Sequence, residues 1–387
     1  MAADWAEDAS CIEGEDALLA VLIPSLSRLE AIDVEMPIFH DRLKHLLDRV
    51  AFSDSPLPSL TALHNLQSCC VGYGAGAVDG ALLPSLLALP SIQSIYMHSV
   101  ASQQQYWSPY SPSNGLDFPT WRKKSNCTHL ELRHCRVGAR QLSQLLAIPK
   151  SLRSLVYIEA RDRGVIQNTN FSDLGRAILQ QKDSLEEAWV DISHDYIAPR
   201  SWVLTATDDV GPIYSLRACT KLRKLRIAAA FVFGIFETSD EKSRLHRIIN
   251  LVPAGIEELS LTHCETQMGE VCDAVEALVY DTKHHQCFES LHMITIELST
   301  PSMSSYKEQL DIIVDFAQLL GIKMKLRNNH SDRLFRDYEG RSESRWGFDS
   351  EIDWAPCSNK RNRKPIYEEI EMGWTGSSSD NLRPPSI

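Results

Sequence analysis

Residues 127–137, CTHLELRHCRV, set Cys127, His129, His134 and Cys135 within nine positions, a donor set rich enough to bind zinc. Zinc needs four such donors converging on one tetrahedral centre. In an extended strand, side chains alternate between faces, so Leu130 and Leu132 point one way while His129, Glu131 and Arg133 point the other. The four donors are then divided. The same letters fit L-x-x-L-x-L-x-x-C-x-L, with Cys127 at its first position, Cys135 in the cysteine slot and Val137 last. That is the spacing of a leucine-rich repeat, in which both cysteines are small buried thiols and the histidines ligate nothing.

Other residues with chemical potential read in a similar way. Cys264, Cys272, His284, His285 and Cys287 form a second donor-rich region, but Cys264 repeats the cysteine slot in IEELSLTHC and Cys272 falls on a helical pattern. GYGAGAVDG at 72–80 is glycine-rich, yet no Lys-Ser/Thr follows to hold phosphates, so a flexible turn is expected. Neither a G-x-S-x-G elbow nor an H-E-x-x-H pair is present. The expectation is a non-enzyme with no catalytic residue, no metal and no cofactor. An enzyme would need a site assembled across distant segments.

The apolar phrase recurs along the chain. Its middle position is Ile32 in LEAIDV, Leu63 in LTALHNL, Ile95 in IQSIYM, Leu130 in CTHLEL and Leu155 in LRSLVY. It continues as Ala188 in LEEAWV, Leu225 in LRKLRI, Leu259 in IEELSL and Ile294 in LHMITI. Intervals between these markers run from 25 to 37 residues and average about 33. Around Leu155 the phase is open, because Val156 and Ile158 could replace Leu155 and Tyr157 as the inward pair.

Between the phrases the period changes. PIFHDRLKHLLDRVA, GARQLSQLLAIP, FSDLGRAILQQKDS, GEVCDAVEALVYD and YKEQLDIIVDFAQLLG space their apolar residues by three and four, as the buried stripe of a helix requires. Each unit therefore reads as a short strand followed by a helix that returns the chain, so that the next strand lies parallel. One unit cannot bury its own apolar face, whereas stacked neighbours can. The expected fold is α/β: a leucine-rich-repeat solenoid with a curved parallel sheet, outer helices and about nine irregular repeats over residues 15–326.

Composition agrees. At 387 residues the chain exceeds the length one compact core serves well, and a stack removes that difficulty. Hydrophobic residues make up 43% and charged residues 23%, and formal net charge is −12, which argues against nucleic acid as a partner. Residues 1–14 form an acidic segment unlike a secretory or transit leader. Without an apolar run of about 18 residues, no membrane association is expected. AAAFVFGIF at 228–236 reads as a buried strand or loop. Ten cysteines scattered through core and helix positions suit reduced thiols in the cytoplasm or nucleus.

The regular pattern is interrupted at 99–126, an inserted loop rich in Ser, Pro, Gln and aromatics. RDRGVIQNTN and SHDYIAPRSWVLTATDDVGP interrupt it again. Residues 327–387 are polar, with aromatics and a Ser/Pro-rich end, and are expected to be a partly disordered tail.

The runs DALLAVLIPSLSRLEAIDVEM, LPSLTALHNLQ, LLPSLLALPSIQSIYMHSV, SNCTHLELRHCRVGARQLSQLLAIPKSLRSLVYIEA, ILQQKDSLEEAWVDI and VPAGIEELSLTHC resemble the repeat region of fungal F-box and leucine-rich-repeat proteins. The resemblance covers roughly residues 15–326. It implies a substrate-recognition solenoid, joined in full-length members to an F-box that docks on the adaptor of a cullin-RING ubiquitin ligase. The LP-x-E-[IL] opening of an F-box is not found in this chain. The expected function is thus a protein–protein interaction module for an unknown protein partner, with the ligase adaptor a partner only where an F-box precedes it. A scaffold or gene fragment without a ligase role is the alternative.

Recognition is expected on the face opposite the inward leucines. There the flanking positions form a ladder across the strands: Tyr96 and His98, Glu131 and Arg133, Trp189 and Asp191, Lys224 and Arg226, Glu258 and Ser260, Met293 and Thr295. Trp, Tyr and Arg standing exposed on such a face are the types that anchor partners, and Trp189 is the leading candidate.

Overall fold

The computed structural model describes residues 14–26, 28–35, 41–52, 61–72, 78–80, 82–101, 122–160, 171–192, 212–213, 215–234, 245–285, 287–298 and 305–328. Twelve strands fall among them: β1 Ala31–Glu35, β2 Ser68–Gly72, β3 Val78–Asp79, β4 Ser94–His98, β5 Val100–Ala101, β6 His129–Cys135, β7 Ser154–Glu159, β8 Glu187–Ile192, β9 Lys224–Ala228, β10 Glu258–Thr262, β11 Met293–Leu298 and β12 Lys323–Asn328. The α-helices are α1 Gly14–Ser25, α2 Asp41–Phe52, α3 Thr61–His64, α4 Leu82–Ala88, α5 Ala139–Leu146, α6 Phe171–Ile178, α7 Ala229–Phe233, α8 Arg247–Leu251, α9 Met268–His285 and α10 Lys307–Leu319.

Ten strands make one parallel sheet in the order β1-β2-β4-β6-β7-β8-β9-β10-β11-β12, and the short pair β3-β5 stands apart. The sheet is open and follows chain order throughout. Parallel neighbours need a crossover between them, and described helices supply it at every step except β4 to β6 and β8 to β9. Register converts the sequence pattern into rows. Ile32, Cys69, Ile95, Leu130, Leu155, Ala188, Leu225, Leu259, Ile294 and Met324 are successive partners across the sheet. Two residues further along each strand a second row runs from Val34 to Leu326 through Val71, Met97, Leu132, Tyr157, Val190, Ile227, Leu261 and Ile296. Both rows pack in one core with Leu142, Leu145 and Leu146 of α5, Leu174 and Ile178 of α6, and Val271, Val275 and Leu278 of α9.

The backbone repeats as closely as the side chains. Just before eight of the sheet strands, one carbonyl accepts two N–H groups from the segment that leads into the next strand, and before β11 His292 O accepts one, from Lys323. Glu30 O takes Gln67 and Ser68, Gln93 O takes Thr128 and His129, Arg153 O takes Glu186 and Glu187, and Arg223 O takes Glu257 and Glu258. Gln67, Thr128, Glu186 and Glu257 carbonyls do the same. Ser99, His134 and His263, each four residues after a marker, all hold positive φ, at 58°, 48° and 53°.

Buried polar groups are satisfied where units meet. The Gln181 side chain accepts from Leu152 N at 3.0 Å and donates to Pro149 O at 3.0 Å, and Tyr157 Oη donates to Val137 O at 2.8 Å. Asp16 of α1 accepts from the N–H groups of Arg42 and Leu43 at 2.8 and 2.9 Å. A carboxylate there serves the first turn of α2 and fixes α1 against it.

Several expectations need correction. Leu63 lies on α3, not on a strand; its rung is taken by Cys69, and a further rung appears at Met324. Leu63 is still buried, so its leucine spacing reports a helix that packs under the sheet. The 228–236 stretch continues β9 only through Ala228 and then turns into helix α7. Gly234, φ 78°, ends that helix in a conformation other residues rarely adopt. In the glycine-rich segment, Val78 and Asp79 are strand β3, paired with β5 at the start of the supposed 99–126 loop. Leu155 and Tyr157 join the main core while Val156 and Ile158 lie on the other face, which resolves that phase. The N-terminal residues 1–13, most of the 99–126 insertion, the interruption 161–170, residues 193–211 of the next interruption and residues 329–387 of the expected tail lie outside the described residues. Arg327 and Asn328 belong to β12.

Candidate functional site

The face of the sheet away from the helices carries the ladder. Tyr96, Glu131, Val156, Trp189, Arg226, Ser260 and Thr295 are successive register partners in one row. Ser154, Glu187, Lys224, Glu258 and Met293 form the row toward the strand starts. Toward the strand ends come His98 and Arg133, then Ile158 and Asp191, with Thr262 and Glu297 further along the sheet.

The middle of this face is closed. Trp189 is 4% exposed, Asp191 4%, Arg226 5% and Glu131 1%. The expectation that Tyr96, Glu131, Trp189, Asp191 and Arg226 stand exposed as anchors is therefore corrected: all are buried. They are consumed by contacts with one another. Trp189 Nε1 donates to Asp191 Oδ2 at 2.9 Å, and the Arg226 guanidinium lies 4.2 Å from the indole centroid. Arg133 lies 4.8 Å from the same ring and is ion-paired with Glu131. Val156 and Ile158 complete the apolar surround of Trp189. Tyr96 clusters with Cys70 further along the face.

Two long side chains cross whole strands. Arg226 of β9 reaches over β10 to donate from Nη2 to Glu297 Oε2 of β11 at 2.8 Å. Ser260, its register partner on β10, is small enough to let it pass. Thr262 Oγ1 of β10 donates to Asp191 Oδ1 of β8 at 2.8 Å, over the small Ala228 between them. His263 Nε2 lies 3.0 Å from the same oxygen, and Ile192 N donates to it at 2.8 Å. Arg226 Nε, 3.9 Å from Asp191 Oδ2, makes no hydrogen bond among the described residues.

Charge follows from this packing. Burial pushes the Asp191 pKa up, but His263, Arg226 and the Trp189 N–H outweigh it and hold the carboxyl well below its ordinary range. Burial likewise opposes protonation of His263, yet Asp191, with Glu265 and Glu297, raises its pKa above the usual value. Asp191 and Glu297 thus lie against the Arg226 guanidinium and beside an imidazole whose protonated form both carboxylates favour. Burial raises the Glu131 carboxyl, with Arg133 opposing.

Beside the Asp191–His263 couple, the Thr262 hydroxyl gives its hydrogen to the carboxylate and not to the imidazole, so Thr262 is not arranged as a nucleophile activated by His263. Neither a small apolar void beneath β1 and β2 nor an open polar groove of about 400 Å³ between Gln67, Pro90, Gln93, Asn126 and Thr128 touches this couple. Cys127 and Cys135 are buried and donate to the carbonyls of His129 and Ile158. Among the described residues, no group of three His, Cys, Asp or Glu is placed to hold a metal ion. Among them, too, no helix is long and apolar enough to cross a membrane.

Thr295 is buried as well, while Lys224, Glu258, Ser260, Met293, His98 and Arg133 are partly exposed. Lys224 Nζ lies 3.3 Å from Glu258 Oε1, both about a quarter exposed. Glu187 occupies the rung on the other side of Lys224, so one lysine stands between two glutamates. Burial raises the Glu187 carboxyl, and Glu186 and Glu258 add to the rise against the pull of Lys224. His98 is half-buried, with Ser99 Oγ 2.9 Å from its Nδ1 and the His134 ring 4.7 Å away.

Sequence reasoning missed Glu187, Thr262, His263 and Glu297. The alternation continues through Thr262 and Glu297, so both were reachable from LEEAWV-type spacing. His263 was not, because it leaves the strand in a left-handed turn. Neither a protein-family model nor a curated protein matches the chain.

Proposed function

We propose that this chain is a leucine-rich-repeat solenoid serving as a non-catalytic protein–protein interaction module, of the kind found in the substrate-recognition region of F-box and leucine-rich-repeat ligase receptors. One observation carries the reading. Before eight consecutive strands of the sheet, β1, β2, β4, β6, β7, β8, β9 and β10, the residue two positions ahead of the first apolar row offers the same doubly accepting carbonyl to the next strand. A chain that stacks equivalent coils on their neighbours generates that ladder, and a sheet assembled from unrelated segments has no reason to. The left-handed residues Ser99, His134 and His263 at one phase support it further.

The polar face is the recognition surface, but its working part is the half-exposed row Glu187, Lys224 and Glu258. The buried cluster around Trp189 and Arg226 holds strands β8 to β11 as a rigid platform beneath. Two glutamates around one lysine leave an acidic surplus, so the partner presents a basic side chain there. Coupling to a ubiquitin-ligase adaptor belongs to the same proposal.

Affinity capture from the cell of origin with the wild-type chain and with Glu187→Lys/Glu258→Lys tests this. The expected result is a defined partner recovered by the first and lost by the second, with far-UV circular dichroism unchanged. Recovery of the same proteins by both would refute the assignment of this row.

A further inference from the structure

Both apolar rows run out at the ends of the sheet. Ile32 and Val34 on β1, and Met324 and Leu326 on β12, are half-buried, whereas the rungs between them are buried. β1 and β12 are the outermost strands of the sheet among the described residues. An outermost parallel strand offers a template of backbone donors and acceptors for a further strand.

The two edges differ in charge. Asp33 lies on β1 with Glu30 just before it, and β12 carries Lys323 and Lys325. Continuing the register by one strand beyond β12, with β1 as that strand, sets Met324 beside Ile32, Lys325 beside Asp33 and Leu326 beside Val34. Apolar meets apolar and base meets acid. The match is directional, because β1 against β1 would oppose acid with acid and β12 against β12 base with base. At the β1 end, helix α1 shows Leu18, Val21 and Leu22 to solvent, at 59, 57 and 55% exposure, opposite its buried Ala17, Ala20 and Ile23, and Leu26 just past its end is 44% exposed. Four exposed aliphatic side chains on and beside one helix form a patch of the kind that marks an interaction site.

We propose that copies of this chain associate head to tail, β12 of one docking in parallel on β1 of the next and covering the apolar surface of α1. These edges belong to the sheet whichever partner its polar face takes. The contact is heterologous, so each joint leaves one edge of each kind open and assembly grows with concentration, as a filament or until the rotation closes a ring. Net charge of −12 repels copies at a distance, which leaves the end charges to select the joint.

Sedimentation velocity of the full chain over a rising concentration series tests this, with circular dichroism confirming that each variant is folded. The wild type is expected to shift to larger species. Asp33→Lys or Lys325→Glu alone returns it to a monomer. Association reappears in the double variant D33K/K325E, and in an equimolar mixture of the two single variants, because each restores a base opposite an acid. A wild type that stays monomeric throughout, its edges then covered within the chain or by a different protein, overturns the proposal. So does association that the single changes leave intact, or that neither the double variant nor the mixture recovers.

Discussion

The guanidinium of Arg226 stacks 4.2 Å from the ring of Trp189 while its Nη2 is held 2.8 Å from Glu297, so one buried cation links β8, β9 and β11. Removing it leaves Asp191 and Glu297 buried without their guanidinium partner. Arg226→Ala is expected to lower the free energy of unfolding by about 3–5 kcal/mol, the range for breaking one side of a buried ion pair. Urea denaturation reads this directly. A loss below about 1 kcal/mol, the range of an exposed pair, would show that water reaches the cluster.

The Asp191–His263 pair sets a pH window. His263 has a raised pKa when folded, so its contribution is complete below the unfolded value of about 6.5 and fades as pH rises through the folded one. Asp191 is depressed, so its contribution is complete above about 4 and fades as pH falls. Stability from this pair is therefore greatest between about pH 4 and 6.5. His263→Asn, which tolerates the left-handed backbone, should remove the decline on the alkaline side when urea midpoints are compared across pH. An identical alkaline decline in the variant would assign it to other groups.

Ala188 is the smallest member of a row otherwise made of Leu, Ile, Met and Cys, and it is fully buried. Ala188→Leu should cost about 1–3 kcal/mol by overpacking. Leu259→Ala, one strand beyond Leu225 in the same row, should cost about 2–5 kcal/mol by opening a cavity. If both changes were silent in chemical denaturation, the row would not be core.

Much of this architecture is legible because a parallel strand buried on one face repeats its apolar letters at a fixed interval. Eight of the nine markers fall on the observed row for that reason. Leu63 misleads because a buried helix turn satisfies the same L-x-x-L spacing, while the strand that fills its rung reads Ser-Cys-Cys-Val-Gly and contains no leucine. The ladder positions were legible from alternation alone, but their burial was not. Alternation says which face a side chain takes; whether water reaches it depends on Arg226 crossing β10 at Ser260 and on Thr262 meeting Asp191 over Ala228, and no local pattern encodes those cross-strand meetings.

Among the described cysteines, Cys287 alone is exposed, and Cys69, Cys127 and Cys272 have thiols pushed up to about 12 by burial. Iodoacetamide on the native chain should label Cys287 well before Cys69, Cys127, Cys135, Cys219, Cys264 and Cys272. Peptide mass mapping with and without denaturant distinguishes them. Native labelling of Cys127 or Cys135 at a similar rate would contradict the packing of β6.

The order and register of the strands are tested most directly by paired cysteines on the half-exposed row, in a background with Cys11, Cys287 and Cys357 changed to serine. Register neighbours in a parallel sheet lie about 4.8 Å apart, within disulfide reach, whereas strands one removed lie about twice as far. Glu187→Cys/Lys224→Cys and Lys224→Cys/Glu258→Cys are each expected to cross-link under mild oxidation, and Glu187→Cys/Glu258→Cys is not. Efficient closure of the last pair, with failure of the first two, would contradict the chain-ordered sheet on which the account is built.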